Sequence, residues 1–335
     1  MSGDRMHDVI VIGASAGGIT ALKELVAGLP ADLPATLLVV LHVNPATPSA
    51  LPAILDRATE LEVRHAQDGD GMECGWILIA PPDFQMIVAD GTVRVERGPR
   101  ENGLRPAVDP LMRSAAQQLG PRCIGVILTG MLSDGTVGLA AIKAAGGVTV
   151  VQDPTSAAFA SMPQHAIDGV GPDYIVPLQD LAPLLRRIVG EERARRGALF
   201  ATDGQHERPA VEVGDDNAGQ LTAFTCPECH GTLWEVDQAG VPQFRCRVGH
   251  RYAIDALVRS QSEGTESALW AGARALEEKA SLSRRVAVRL SESGHRASAL
   301  RFERIAEEAE VQAAQVTLLI EGLETPELNV PVTAA

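Results

Sequence analysis

Aromatic side chains are scarce, with Phe, Tyr and Trp together supplying 3% of the 335 residues. A sizeable core must therefore be filled by aliphatic side chains, and hydrophobic residues do make up 45% of the chain. Basic residues are also outnumbered. There are 29 Lys and Arg against 43 Asp and Glu, for a formal net charge of -14. Nucleic acid and anionic lipid are bound by clustered Lys and Arg, so neither is expected as a main partner. No apolar run approaches the roughly 20 residues of a membrane span, and the polar start from Met1 to Asp8 lacks a secretion signal. Membrane insertion is not expected. Cysteines number five: Cys74 and Cys123 stand alone, while Cys226, Cys229 and Cys246 cluster. That reads as a reduced, metal-binding arrangement rather than a disulfide framework, and points to the cytoplasm.

Over residues 1–192, short aliphatic runs alternate with amphipathic stretches. Strands are predicted at Val9–Ile12, Ala35–His42, Trp76–Ala80, Cys123–Leu128, Val148–Val151 and Tyr174–Val176, and helices at Ile19–Ala27, Pro106–Leu119, Val137–Ala145 and Leu178–Val189. Runs such as Ala35-Thr-Leu-Leu-Val-Val-Leu are apolar on both faces, as strands of a covered parallel sheet must be. The fold class this predicts is α/β, a doubly wound, mostly parallel sheet with helices on both faces. Phe84–Glu96 reads as a hairpin about Asp90-Gly91. Residues 193–222 lack a period and read as a linker. A small Cys-bearing module is expected at 223–253, a helical hairpin at 254–325 and a tail at 326–335. The hairpin seam is read from Leu269, Ala273, Leu276, Ala280, Ser283, Ala287 and Leu290, facing Phe302, Ile305, Ala309, Gln312, Val316, Leu319 and Leu323.

The first strand runs into Gly13-Ala-Ser15-Ala-Gly17-Gly18 and then a helix. Such a turn can hold a dinucleotide, cradle nucleotide phosphates or present a nucleophile. Ser15 stands where a dinucleotide fingerprint needs glycine, and the second strand ends in Leu41-His42-Val43 without a carboxylate for a ribose. No Gly-Lys-Ser/Thr follows for a phosphate loop. A serine on a turn at a helix start suits nucleophilic attack, with nearby N–H groups to receive an oxyanion. His42, ending the second strand, lies on the same sheet edge and could act as base; its other role would be only to satisfy backbone. Asp134, in Thr129-Gly-Met-Leu-Ser-Asp134-Gly after the Cys123–Leu128 strand, could orient His42 or merely cap the next helix. Asp109 reads as a helix brace.

Taken together, Gly13-Ala-Ser-Ala-Gly-Gly, the His42 strand end, Arg105-Pro-Ala-Val-Asp109, Leu128-Thr-Gly-Met-Leu-Ser-Asp-Gly and Met162-Pro-Gln-His-Ala166 resemble, in order, the motifs of CheB-type chemotaxis methylesterases. The resemblance covers about residues 7–190. It implies hydrolysis of glutamyl methyl esters on chemoreceptor helices, with deamidation of receptor glutamines in some members and no catalytic cofactor. It carries nucleophile, base and orienter onto Ser15, His42 and Asp134, and oxyanion donors onto the N–H groups near Ala16 and Met131. This chain departs from the family at Ala16, where Thr is common, at Val43, where Met is common, at Leu132, where Gly is usual, and at Gln85, where His is frequent. Family members commonly carry a receiver domain ahead of the catalytic domain. Here the first strand begins within ten residues, so control by phosphorylation of its own receiver is not expected.

Cys226-Pro-Glu-Cys229 and, after sixteen intervening residues, Cys246-Arg-Val-Gly-His250 each offer two ligands at short spacing, the pattern of a closed, structural Zn²⁺ site in a zinc-ribbon-like module. His230 is the rival fourth ligand, and a small core of three reduced cysteines is the alternative. The leading expectation is a protein-glutamate methylesterase whose partners are chemoreceptor cytoplasmic helices or a related signalling protein. An esterase acting on another substrate, and a non-catalytic module binding signalling helices, are the alternatives.

Overall fold

A computed structural model of the chain describes residues 8–45, 47–199 and 219–323. It divides into two compact units, Met1–Ala256 and Leu257–Ala335. In chain order the first holds strand β1 (Val9–Ala14), helix α1 (Gly18–Ala27), β2 (Thr36–Leu41), α2 (Leu51–Asp56), β3 (Glu62–His65), β4 (Asp70–Gly71), β5 (Trp76–Ile79), β6 (Gln85–Ala89) and β7 (Thr92–Glu96). There follow α3 (Val108–Leu119), β8 (Cys123–Ile127), α4 (Thr136–Ala144), β9 (Val148–Gln152), α5 (Ser161–Val170), β10 (Tyr174–Val176) and α6 (Leu178–Leu199). The Cys-bearing segment adds β11 (Gln220–Thr225), β12 (Thr232–Gln238), β13 (Val241–Cys246) and β14 (Arg251–Tyr252). Helices α7 (Ile254–Glu292) and α8 (Arg296–Glu321) complete the described chain.

Seven strands pair in the order β10-β9-β8-β1-β2-β5-β3, all parallel. Parallel pairing requires crossovers, and the crossover helices bury both faces of the sheet. Alternation along β1 sorts its side chains: Ile10 and Ile12 pack with Leu22 and Leu25 of α1 and Leu181 and Leu185 of α6. Val9 and Val11 pack with Leu111 of α3, Leu139 of α4 and Met162 of α5. Two apolar layers thus clamp a sheet built mainly of Val, Ile and Leu, the arrangement that a chain poor in aromatics can still pack densely. Strands β6 and β7 form the expected hairpin, joined by β4 into a separate antiparallel sheet.

Sequence reading missed β3, α2 and α5. β3 is an edge strand without the buried run that marks its neighbours, and α2 is only six residues long with Pro52 in its first turn. The stretch expected to begin a linker at 193 is helical instead, as α6 continues to Leu199 through Glu191-Glu-Arg-Ala-Arg-Arg, a composition that favours helix. Residues 200–218 and the tail at 326–335 lie outside the described residues, and the other end of the expected linker is the start of β11.

In the second unit Ala273, Ala280, Ser283 and Ala287 of α7 are buried as expected. The seam of α8 differs from expectation. Ala299, Ala306, Ala309, Ala313 and Ile320 are buried, while Leu319 and Leu323 are 62% and 46% exposed and Gln312 is exposed too. Alanines let two helices approach closely, so the buried column follows the small residues rather than the largest apolar ones. Arg284 and Glu310 pair across the two helices at 2.6 Å. Among the described residues no helix is long and apolar enough to cross a membrane.

Candidate active site

In the parallel sheet, β1 and β8 are neighbours whose onward connections run to opposite sides, β1 through α1 to β2 and β8 through α4 to β9. A cleft opens at such a divergence, beyond the carboxyl ends of the strands. Ser15 leaves β1 directly into this cleft. Its N–H donates to Thr129 O at 3.0 Å and its carbonyl accepts from Gly18 N–H at 2.9 Å, tying the turn to the exit of β8 and to α1. Gly17, with φ +76°, makes the sharp entry into α1, and a side chain there would lie 2.9 Å from Ala158 Cβ. Gly130 is equally constrained: an added Cβ would meet Ser15 Cβ at 2.9 Å and the Met162 sulfur closer still.

His42 stands one residue past β2, with its N–H donating to Ala14 O at 3.1 Å. Its Nε2 lies 2.7 Å from Asp134 Oδ2, and the two side chains are only 9% and 1% exposed. Asp134 had the alternative role of capping α4. That role is not the observed one, because the cap position is Gly135 and no side chain caps the helix. The carboxylate points instead at the start of α3. Oδ2 accepts from Val108 N–H at 2.6 Å, and Oδ1 from Asp109 N–H at 3.3 Å and Asn102 Nδ2 at 3.1 Å. Burial opposes its ionisation, but the hydrogen bond and charge of His42 and the two backbone donors outweigh this and hold its pKa below the usual carboxylate range. Asp109 is pushed the other way, well above that range, by burial and then by the charge of Asp134. Its Oδ1 accepts from Gly138 N–H at 2.7 Å and so braces the first turn of α4, the helix-bracing role expected of it.

Among the described residues, neither Ser15 Oγ nor His42 Nδ1 has a hydrogen-bond partner, and the same holds for the N–H groups of Ala16 and Met131. With Nε2 engaged on Asp134, Nδ1 is the ring nitrogen left to take a proton. Met131 is 48% exposed on the same rim. Leu132, where the resembled family usually has Gly, adopts φ +63°. Gln85, where that family often has His, is buried and braces the loop before α3. It donates to Pro99 O at 3.0 Å and accepts from Ala107 N–H at 2.9 Å.

Asn102 and the N–H groups of Val108 and Asp109 had not been expected in the site. Asn102 sits in a turn, Glu101-Asn-Gly, with no periodic signal, and backbone donors carry no side-chain signal at all.

Cys226, Cys229, Cys246 and His250 converge elsewhere on the first unit, with ligand atoms all within 4.8 Å of one another, a group able to hold a metal ion. Cys226 N–H donates to Gly231 O at 2.7 Å and His230 N–H to Cys226 O at 2.9 Å, closing a tight knuckle. His230, the rival ligand, is not in the group.

The family model for the CheB methylesterase matches residues 10–185, more than half of the chain. The chain belongs to the CheB methylesterase family. It is 40% identical over 181 residues to a "Protein-glutamate methylesterase/protein-glutamine glutaminase 2" of Anaeromyxobacter dehalogenans, covering 54% of this chain and 53% of that one. A "Putative protein-glutamate methylesterase/protein-glutamine glutaminase" of Leptospira interrogans is 36% identical over 183 residues, covering 54% of this chain and 95% of that one. The chain thus spans about half the length of the first of these and nearly all of the second. The CheB methylesterase catalytic domain of Thermotoga maritima, known from its crystal structure, superposes with a TM-score of 0.53 at 33% identity, over 56% of this chain and 100% of that one. The residues matched by the family model lie within the first compact unit.

Proposed function

We propose that the chain is a protein-glutamate methylesterase acting on chemoreceptors, with Ser15 as nucleophile, His42 as general base and Asp134 as its orienter. The observation that carries this reading is the 2.7 Å bond from a nearly buried His42 to an ionised, fully enclosed Asp134 at the strand edge that delivers Ser15. Ser15 Oγ attacks the carbonyl carbon of the glutamyl methyl ester while His42 Nδ1 takes its proton. The N–H groups of Ala16 and Met131, lacking other acceptors among the described residues, receive the oxyanion. As the tetrahedral centre collapses, the proton on His42 passes to the departing methoxide, giving methanol and an acyl-enzyme. Water then adds with His42 again as base, releasing the glutamate and restoring Ser15. A glutamine side chain would follow the same course with ammonia as leaving group, in keeping with the double name of the relatives.

The Cys226, Cys229, Cys246 and His250 group we read as a structural Zn²⁺ site. Ligand-atom separations of 3.6 Å from Cys229 to Cys246, 3.7 Å from Cys226 to His250 and 3.5 Å from Cys246 to His250 suit a tetrahedron. Zn–S bonds of about 2.3 Å give edges of roughly 3.7 Å. His250 Nε2 lies 3.3 Å from Glu228 Oε2, the outer partner a ligating imidazole needs. Four protein ligands leave no open position, so this site takes no part in the chemistry. Five free cysteines, with no disulfide among the described residues, favour the cytoplasm.

The test is methanol release from methyl-labelled chemoreceptor membranes by the wild type and Ser15→Ala. Release by the wild type, reduced at least about 10³-fold in the variant, is expected. No release from a folded wild type would return the reading to another ester or to a binding module.

A further inference from the structure

The Cys-bearing sheet and the candidate triad meet at one side chain, within the first compact unit. Asn102 faces both. Its Nδ2 donates to Asp134 Oδ1 at 3.1 Å, and its Oδ1 accepts from Ala253 N–H at 2.8 Å. Its own N–H donates to Arg251 O at 2.7 Å. Residue 102 is thereby stitched, through backbone and side chain, to both sides of Tyr252 in β14. That strand begins directly after His250, and Tyr252 is itself wholly buried against the cluster, with its hydroxyl 4.0 Å from Cys226 Sγ.

The neighbouring residues reinforce the seam. Glu101 forms a parallel bridge with Arg251, and its carboxylate holds Arg113 of α3 through two bonds of 2.8 and 2.5 Å. Ser133, the residue before the triad carboxylate, donates to Asp255 Oδ1 at 2.5 Å. Asn102 also keeps φ +53°, a left-handed conformation that Asn tolerates better than most residues. Both ends of its amide are used and buried, so neither can be satisfied by water if the partner withdraws.

We propose that Asn102 is a positioning residue through which the Cys/His sheet holds the triad carboxylate, so that integrity of the four-ligand cluster sets the competence of Ser15. The inference rests on the reading of Ser15, His42 and Asp134 as a triad. A closed metal site remote from the chemistry would then govern the rate without touching substrate. The direction of control follows from the chemistry of Asn102. Its amide, which also reaches Asp109 Oδ2 at 3.5 Å, donates a hydrogen bond to the Asp134 carboxylate, and so moderates the carboxylate's pull on the proton of His42. The ionisable groups around the pair are Asp109 and Arg113 of α3 and Glu101 of the loop, with Asp255 beyond Ser133.

The test follows the rate of Ser15 labelling by a fluorophosphonate probe against pH, located by mass spectrometry. It compares the full-length wild type, Asn102→Ala, Cys246→Ser and the double variant. In parallel, the His42 ring proton shared with Asp134 is observed by NMR, and far-UV circular dichroism reports folding. Asn102→Ala is expected to slow labelling about tenfold and to move the midpoint of the acid limb up by roughly half a pH unit, with the ring-proton resonance displaced. A merely structural role would lower the rate without moving that midpoint. Cys246→Ser, remote from the triad, is expected to slow labelling severalfold, and the double variant to be no slower than Asn102→Ala alone. Unchanged labelling and ring-proton signal in Cys246→Ser, or effects of the two substitutions that simply multiply, would overturn the proposal. So would an unmoved midpoint in a folded Asn102→Ala. Should the wild type fail to label at Ser15, the nucleophile reading falls, and the ring-proton signals of the same variants still decide whether Asn102 links cluster and carboxylate.

Discussion

The backbone N–H of Asp109 donates to Asp134 Oδ1 at 3.3 Å, while the Asp109 carboxyl accepts from Gly138 N–H at 2.7 Å through Oδ1 and from Asn102 Nδ2 at 3.5 Å through Oδ2. Two enclosed acids thus sit next to each other with pKa values pushed in opposite directions, Asp134 lowered by His42 and the donors of α3, Asp109 raised by burial and by its neighbour's charge.

Replacing Asp134 by Asn keeps the shape but points an amide at donors already present on Val108 and Asn102. His42 would also lose the acceptor that fixes its tautomer. Esterase turnover is expected to fall about 10³–10⁴-fold, and stability by about 2 kcal/mol as buried donors lose their partner. Steady-state kinetics and urea denaturation read the two effects separately, and full activity would remove Asp134 from the mechanism.

Asp109 makes a prediction of opposite sign. Its folded pKa is raised, so its contribution is most favourable below the ordinary carboxyl range and is lost as pH rises from there towards the folded value. Asp109→Asn, neutral at every pH and still able to accept from Gly138, should melt higher than the wild type near pH 7. The gap should close as pH falls towards 4. Asp134 works in reverse, its stabilisation present at neutral pH and lost as pH falls through its lowered folded value. Melting curves of the wild type and Asp109→Asn between pH 4 and 8 would show the gap closing towards acid pH. A gap independent of pH would contradict it.

Leu132 occupies a left-handed conformation at φ +63° that suits glycine. Leu132→Gly is expected to stabilise the fold by about 0.5–1 kcal/mol. That corresponds to a rise of about 1–3 °C in Tm. A lower Tm would mean that contacts of the Leu side chain outweigh the backbone strain.

If the four-ligand group holds zinc, the purified protein should contain about one zinc per chain, and Cys229→Ser should lose it. Chelation should then expose the amides of β12 and β13 to hydrogen exchange while those of β1, β2 and β8 stay protected. Elemental analysis together with exchange by mass spectrometry reads both. Equal protection with and without metal would favour a cysteine core that needs none.

Much of the site could be read in advance because a parallel sheet gathers strand ends. Ser15, His42 and Asp134 follow three buried runs, and adjacency of those runs is enough to bring the residues to one edge. The convergence of Cys226, Cys229, Cys246 and His250 was legible for a different reason: two Cys/His pairs at knuckle spacing need no knowledge of the rest of the fold. Asn102 was not legible, since its two partners lie 32 and 151 residues away and one of them is a backbone N–H. Nor was the true seam of α8, where Ala306 and Ala313 are buried and Leu319 is not. Side-chain size alone ranks those positions the wrong way round. The edge strand β3 and the short helix α2 left too short a pattern to separate from loop.

Seven strands running the same way also divide the first unit into two regions of unequal tolerance to substitution. Ala16, Val43 and Leu132, the departures from the family's usual residues nearest the candidate triad, follow β1, β2 and β8 respectively, beyond the last rungs of the ladder. Substitutions there alter the rim of the candidate site without disturbing a strand, whereas a change inside Val9–Ala14 or Cys123–Ile127 would be felt on both faces of the sheet. The rim is therefore the part of the first unit where a residue can be exchanged while the sheet beneath it stays as it is.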